Sequence, residues 1–298
     1  MSKAQTNIKP LLLGSDYNAY GMARSFHELL GRPVKIFAST LLAPCRYSKI
    51  VEPEICEGFD KDPIWFEHMK KIKQRYKDHK EPVVLISCSD VYSELIVKHL
   101  EELSDVFICL PNIKQDMFAK LVNKTSFYEI CEKYDLPYPK TAFISKKDAQ
   151  DLSSIRQDFE YPVILKPADS VSWLKVDFPG RKKAFKIRSR KEFEYVIEQS
   201  YKNGYEDTLI LQDFIPGDDS SMRVLNAYCS KEAKVKFMSL GHPILEDPSP
   251  ACIGNYTAIL PDYSEEICIK IRGFLEKINY VGFANFDMKY DISDGQYK

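Results

Sequence analysis

The sequence predicts an α/β chain in two parts: a doubly wound parallel sheet, then a region of α+β texture. Three observations carry this. Short Val/Ile/Leu runs alternate with helix-period segments up to about residue 110. After Pro111 the texture changes, with prolines closing helices and longer strand-like stretches taking over. The charged residues that interrupt apolar strands fall in this second part.

In chain order, 8–14 (IKPLLLG) is an apolar run closed by glycine. Residues 21–31 (GMARSFHELLG) show helical spacing through Met22, Phe26, Leu29 and Leu30, with Gly31 as the stop. Residues 34–39 (VKIFAS) read as a strand, and 64–76 (IWFEHMKKIKQRY) as a helix with Ile64, Met69, Ile72 and Tyr76 near one face. The run 83–88, a helix over 91–103 and the run 106–110 complete a β-α-β series. Continuous apolar runs with intervening helices suit a parallel sheet covered on both faces. A helix with Asn123 or Thr125 near its start then runs to about Tyr134, and the prolines of 135–140 (DLPYPK) end it. Strands are expected over 162–166 (PVILK) and 209–214 (LILQDF), separated by a helix over 192–204. Strands over 222–229 and 233–241, a Pro/Gly-rich loop over 242–255 and a helix over 265–279 follow. Residues 281–291 (VGFANFDMKYD) read as a strand that places Phe283, Asn285, Asp287 and Lys289 on one side by the period of two. A boundary near 111–120 gives domains 1–118 and 119–298.

Composition narrows the function. With 42 basic and 43 acidic residues among 298, the net charge is −1, so no global field favours nucleic acid or an anionic membrane. The basic run 180–191 (GRKKAFKIRSRK) reads as a solvated flap or helix face. The longest apolar runs fall far short of the ~20 residues of a membrane-spanning helix, and no secretory signal opens the chain. Eight cysteines lie scattered without a C-x-x-C pair, which points to reduced thiols and a cytoplasmic protein. No G-x-x-x-x-G-K-[ST], G-x-G-x-x-G, H-E-x-x-H or G-x-S-x-G occurs.

What remains is a set of charges at strand and helix ends. Lys124 stands at a helix start. Lys166 ends the apolar strand PVILKP, where its ammonium must meet an anion or reach solvent. Gln212-Asp213 lead into a turn, FIPGDD, and Asp287 interrupts an apolar strand. Singly, each suits a snorkelling lysine or a strand-end charge. Together they supply cations for phosphates, free peptide groups for a purine and a carboxylate for Mg²⁺, which usually takes one or two carboxylates plus phosphate oxygens.

In this order the segments resemble the ATP-grasp superfamily. LVNKTSFYEICEKYDLPYPKT (121–141) resembles the entry to the ATP-grasp domain, PVILKP its second lysine strand, LILQDFIPGDD (209–219) its hinge and FANFDMKYD the strand of its first metal acid. GSDYNAYGMARSFHELLG (14–31), IPGDDSSMRV (215–224) and PSPACIGNYTAI (248–259) look most like carboxylate–amine ligases of the D-aspartate ligase type. The resemblance implies a pre-ATP-grasp domain before an ATP-grasp domain of two subdomains. It also implies an amide bond made through an acyl phosphate, with ATP and Mg²⁺ as cofactors. D-aspartate added to a peptidoglycan-precursor amine is one such reaction; another amino acid or a peptide, or a nucleotide-binding module without turnover, are the alternatives. Partners would be an acid and an amine, with a homodimer among the assemblies admitted.

By position, Lys124 and Lys166 match the phosphate-contacting lysines. Gln212, Asp213 and Ile215 match the adenine-facing hinge, Asp218 or Asp219 the ribose carboxylate, and Asp287 the first metal ligand. Arg223 and Asn255 fall where such ligases place substrate or phosphate contacts. Two departures stand out. The flap 168–187 has one glycine, Gly180, and the family's E-I-N strand with the second metal acid is not found, so a catalytically incomplete piece is expected. Ser15-Asp16 and Ser89-Asp90 at the first domain's strand ends suit helix capping and acceptor binding equally.

Overall fold

The computed structural model describes residues 7–298 apart from 153–154, 156–158, 174 and 247–255; of Ser170, Val171, Asp219 and Glu246 it describes the backbone alone. Contacts divide the chain into two units. The first holds the chain up to Phe118 with residues 228–236 and 279–283, and the second holds the rest.

The first unit is a five-stranded parallel sheet of β1 (Lys9–Leu13), β2 (Val34–Ala38), β3 (Val51–Ile55), β4 (Val83–Ser87) and β5 (Phe107–Leu110), in the order β3-β2-β1-β4-β5. Its helices are α1 (Tyr17–Leu30), α2 (Ala43–Arg46), α3 (Ile64–Tyr76), α4 (Asp90–Lys98) and α5 (Leu100–Leu103). Alternation along β1 builds a core on each face. Leu11 and Leu13 pack with Trp65, Met69 and Ile96, while Leu12 packs with Ala19, Ala23 and Ile36. Both faces are therefore apolar, as the continuous runs require.

Four expectations for this unit change. Helix α1 begins at Tyr17, four residues before the expected Gly21, because Asp16 accepts from the Ala19 amide at 3.0 Å and caps it. Its other end is as expected: Gly31 takes the left-handed conformation with φ 67° that glycine adopts without penalty. On α3 the buried row is Trp65, Met69 and Ile72, and Ile64 is exposed. The helix expected over 91–103 breaks at His99. Strand β3 (VEPEI) carried no apolar signal, since it lies at the sheet edge where glutamates face water and Pro53 is tolerated.

Helix α6 (Gln115–Val122), which had no expectation from the sequence, spans the boundary at Phe118, and α7 (Lys124–Tyr134) follows, capped by the Asn123 side chain on the Ser126 amide at 3.1 Å. Strands β6 (Thr141–Ile144), β7 (Val163–Pro167), β8 (Phe185–Ile187) and β9 (Leu209–Asp213) form an antiparallel sheet in the order β6-β9-β7-β8, with α8 (Ser170–Trp173) and α9 (Arg190–Lys202) between strands. One face, with Val163, Leu165, Leu209 and Leu211, is buried against Phe193, Val196 and Ile197 of α9. A second sheet, in the order β12-β11-β10-β13-β14, is made of β10 (Met222–Cys229), β11 (Val235–Glu246), β12 (Tyr256–Asp262), β13 (Gly282–Asp291) and β14 (Gln296–Tyr297). Helix α10 (Glu265–Lys277) precedes β13. The loop expected over 242–255 is strand as far as Glu246, because register shifts near Pro243 let β11 keep pairing with β12 despite the proline.

Candidate nucleotide site

Register decides which side chains of the four-stranded sheet meet. Gln212 lies opposite both Thr141 and Ile164, Lys166 opposite Ile210, and Lys186 opposite Ile164. Directly opposed residues share a face, so Gln212, Lys166 and Lys186 stand together on the face that α9 leaves open. Asp213 points the other way, a correction to its expected place beside Gln212. Only its main chain can serve the open face, and its amide already donates to Lys140 O at 3.0 Å. The ladder ends there, so Phe214 and Ile215 follow outside it with their peptide groups unclaimed by either neighbouring strand.

Gln212 is 4% exposed and its orientation follows from hydrogen-bond accounting. The Thr141 hydroxyl donates to Pro139 O at 2.6 Å, so its oxygen can only accept, and Gln212 Nε2 donates to it at 2.9 Å. The second amide hydrogen goes to the Tyr128 hydroxyl at 2.7 Å. Both donors are spent, and Gln212 Oε1 is left as an acceptor. The Tyr128 hydroxyl keeps its own proton to donate, and burial pushes its pKa up, which favours that protonated form. Tyr128 and Gln212 line a cavity of about 210 Å³ with Cys131, Lys166, Asp287 and Met288.

Of the two nominated lysines, Lys166 lines this cavity, and the Lys124 charge acts on it from outside the lining. Lys124, the first residue of α7, donates to the carbonyls of Pro167 and Ala168 at 3.4 and 3.2 Å. Burial lowers its pKa, as does the Lys183 charge, against a smaller opposing effect of Asp169. Lys166 has no hydrogen bond or ion pair among the described residues; burial, then the Lys124 charge, pushes it down to about 8. An anion placed beside two half-buried, mutually repelling cations would favour the charged form of both.

The second sheet supplies the acid. Asp287 has no partner among the described residues, and although it stays solvent accessible, the surrounding protein raises its pKa by desolvation. Among the described residues no group of three or more His, Cys, Asp or Glu side chains converges. A hard oxygen donor that lines the same cavity as Lys166 suits magnesium, which takes carboxylate oxygens and completes its shell with phosphate oxygens and water.

The other nominated residues are placed less centrally. Arg223 is 16% exposed and committed: Nε meets Asp262 Oδ2 at 2.6 Å, and Nη1 donates to Ser220 O and Met222 O. The pair with Asp262 ties the start of β10 to the end of β12. Asp218 is exposed and accepts from the Ser220 amide and hydroxyl at 3.0 and 2.5 Å. Asp219 opens the following 3₁₀ turn, Asp219–Ser221. Asn255 lies outside the described residues. In the first unit, Asp16 is a helix cap, and Ser15 Oγ donates to Thr40 O at 2.7 Å.

Three residues with no expected role belong here. Tyr128 and Thr141 orient Gln212, and a helix-to-strand contact of that kind leaves no mark in a one-dimensional pattern. Lys289, two residues after Asp287, donates to Gly217 O at 2.8 Å and pins the hinge turn; the alternation of β13 was the available signal. Gly217 itself has φ 100°, and an added Cβ would stand 2.4 Å from Ser221 Oγ. Gly217→Ala is therefore expected to lower stability by about 1–3 kcal/mol and to weaken nucleotide binding. Thermal denaturation with a nucleotide titration checks both.

With this geometry in view, likeness to known proteins can be placed on it. The chain is 55% identical over 292 residues to the D-aspartate ligase of Enterococcus faecium (strain Aus0004), covering 97% of this chain and 69% of that one. The chain belongs to the D-aspartate ligase family. No family model matches. Solved structures with this fold include the L-amino acid ligase of Bacillus licheniformis (TM-score 0.62, 17% identity), of which 98% of this chain spans 65%. An N5-carboxyaminoimidazole ribonucleotide synthetase in complex with ADP gives a TM-score of 0.66 at 14% identity, covering 98% of this chain and 68% of that one. The Staphylococcus aureus N5-carboxyaminoimidazole synthetase with ADP gives 0.65 at 14%, covering all of this chain and 70% of the other. The fold is that of the ATP-grasp ligases, and the family is one of ATP-dependent carboxylate–amine ligases.

Proposed function

We propose that this chain binds ATP between residues 124 and 287 and uses it to join an amino acid, D-aspartate, to an amine of a peptidoglycan precursor. Residues 1–118 then act as the pre-ATP-grasp domain and 119–298 as the ATP-grasp domain. The observation that carries the reading is the Lys166 ammonium, unpaired among the described residues, beside the oriented Gln212 amide, both on one cavity. An apolar cavity of about 150 Å³ takes a benzene ring, so one of 210 Å³ has room for a two-ring base. Adenine offers an amine donor beside a ring-nitrogen acceptor, and Gln212 Oε1 with the Tyr128 hydroxyl offers the complement. The Ile215 main chain, beyond the end of the ladder, supplies further peptide groups. Lys124 and Lys166 hold the phosphates, Asp287 would hold magnesium, and Asp218 or Asp219 lies within the hinge turn for the ribose. Bound magnesium would add positive charge against the phosphate oxygens.

The chemistry asks for positioning and charge rather than a protein nucleophile. A carboxylate oxygen of the acid attacks the γ-phosphorus, the bond to ADP breaks, and an acyl phosphate forms. The amine then attacks the acyl carbon, phosphate leaves with the bonding pair, and the nitrogen gives up a proton as the amide forms. The lysine charges stabilise the oxygens on which negative charge grows. The seven described cysteines are free thiols, which supports a cytoplasmic setting. No helix among the described residues is long and apolar enough to cross a membrane. The test is ADP release with ATP and Mg²⁺ over a panel of amino acids and an amine acceptor. D-aspartate is expected to give the largest rate, and no amino-acid-dependent ADP release from any member would overturn the proposal.

A further inference from the structure

The strand that carries Asp287 also carries one member of a polar pair, Asn285, which the nucleotide site described above does not use. Alternation puts Asn285, Asp287 and Lys289 in one row on β13. Lys289 holds Gly217 O, so its end of the row adjoins the hinge, and Asn285 lies at the opposite end with Asp287 between them. There Asn285 Nδ2 donates to Asn226 Oδ1 on β10 at 3.0 Å, and both residues are exposed.

This bond fixes what the pair can still offer. Asn285 retains one N–H and its carbonyl oxygen, and Asn226 retains two N–H donors. The pair is neutral, so it is a poor substitute for lysine as a phosphate receptor. It offers donors beside an acceptor, which is the complement of a zwitterion: carboxylate oxygens take N–H donors and an ammonium takes a carbonyl. Position agrees with chemistry. A nucleotide that starts at the hinge and passes Asp287 ends with its terminal phosphoryl group toward Asn285, where the acid that receives the group must sit.

We propose that the Asn226–Asn285 pair is the receiving site for the amino-acid substrate. The inference rests on the ATP reading above and adds the recognition of the acid to it. Asn226→Ala and Asn285→Ala test it in the whole chain, with equilibrium binding of labelled D-aspartate in the presence of Mg²⁺ and a non-hydrolysable ATP analogue. The expected result is D-aspartate affinity weakened roughly 10- to 100-fold, the range of a lost hydrogen bond to a charged group, with affinity for the analogue unchanged. Retained analogue affinity also reports that each variant is folded. D-aspartate bound as tightly by both variants, or bound by neither wild type nor variants, would overturn the inference while leaving nucleotide binding intact. Analogue affinity lost together with D-aspartate affinity would assign the pair to the nucleotide site and overturn it too. Wild-type protein that does not bind the analogue would instead overturn the ATP reading itself.

Discussion

Lys166→Met will reduce ATP-dependent turnover by about 10²–10³-fold, the range for removing one preorganised group that stabilises transition-state charge, while making the ligand-free protein more stable. The two effects have one cause. In the folded chain burial and the Lys124 charge hold the Lys166 pKa at about 8, against 10.5 for an ordinary lysine. The folded state thus disfavours the charged form. The penalty is fully present below pH 8, on the order of 3 kcal/mol at 1.36 kcal/mol per unit, and it is relieved as pH rises from about 8 to beyond 10.5. Methionine removes it, so the variant should melt higher at pH 7, with the difference shrinking above pH 10. A phosphate beside the ammonium restores the charged form, so wild-type ATP binding should take up protons near pH 8 and weaken as pH rises further. Calorimetry in buffers of different ionisation enthalpy reads the uptake. Normal turnover in the variant, with no proton uptake on ATP binding by the wild type, would show that the lysine only snorkels to solvent.

Lys166 was legible because an apolar strand made its charge conspicuous. The same contrast marked Asp287 and the end of β9, and the parallel sheet of the first unit was carried by runs whose two faces are both buried. What the pattern could not carry was pairing between distant elements. That Tyr128 on α7 and Thr141 on β6 together orient Gln212 depends on contacts 84 and 71 residues apart in sequence. Asp213 was placed beside Gln212 because adjacent letters look like one motif, whereas a strand turns them to opposite faces. Arg223 was expected at a substrate or phosphate contact, and its ties to Asp262 and two carbonyls had no signal in the pattern. Edge strand β3 and the strand continuing through Pro243 were hidden for the opposite reason: their stability comes from a neighbour's ladder and not from their own apolar content.

Asp287→Asn is expected to raise the magnesium concentration needed for half-maximal activity by more than about 10-fold and to cut turnover by about 100-fold or more. Losses of 10- to 100-fold follow removal of groups that merely orient a metal ligand, and a direct ligand should cost at least as much. The carboxylate's pKa is raised by desolvation alone. Its neutral form is therefore the one favoured by the ligand-free fold: stability is lost as the pH rises from the ordinary carboxylate range to the raised value, and the full penalty is present above it. Asparagine keeps the shape without the charge, so the ligand-free variant should be at least as stable as wild type at neutral pH. The metal requires the ionised form, which gives the pH dependence its sign: apparent magnesium affinity in the wild type falls as pH drops through the raised pKa. In the variant that acid limb should vanish, while nucleotide binding without metal, which depends on Lys124, Lys166 and Gln212, should persist. Magnesium titrations at several pH values distinguish this from a purely structural role. An unchanged magnesium requirement in a folded variant would mean that Asp287 does not hold the metal and that the carboxylate must be sought elsewhere.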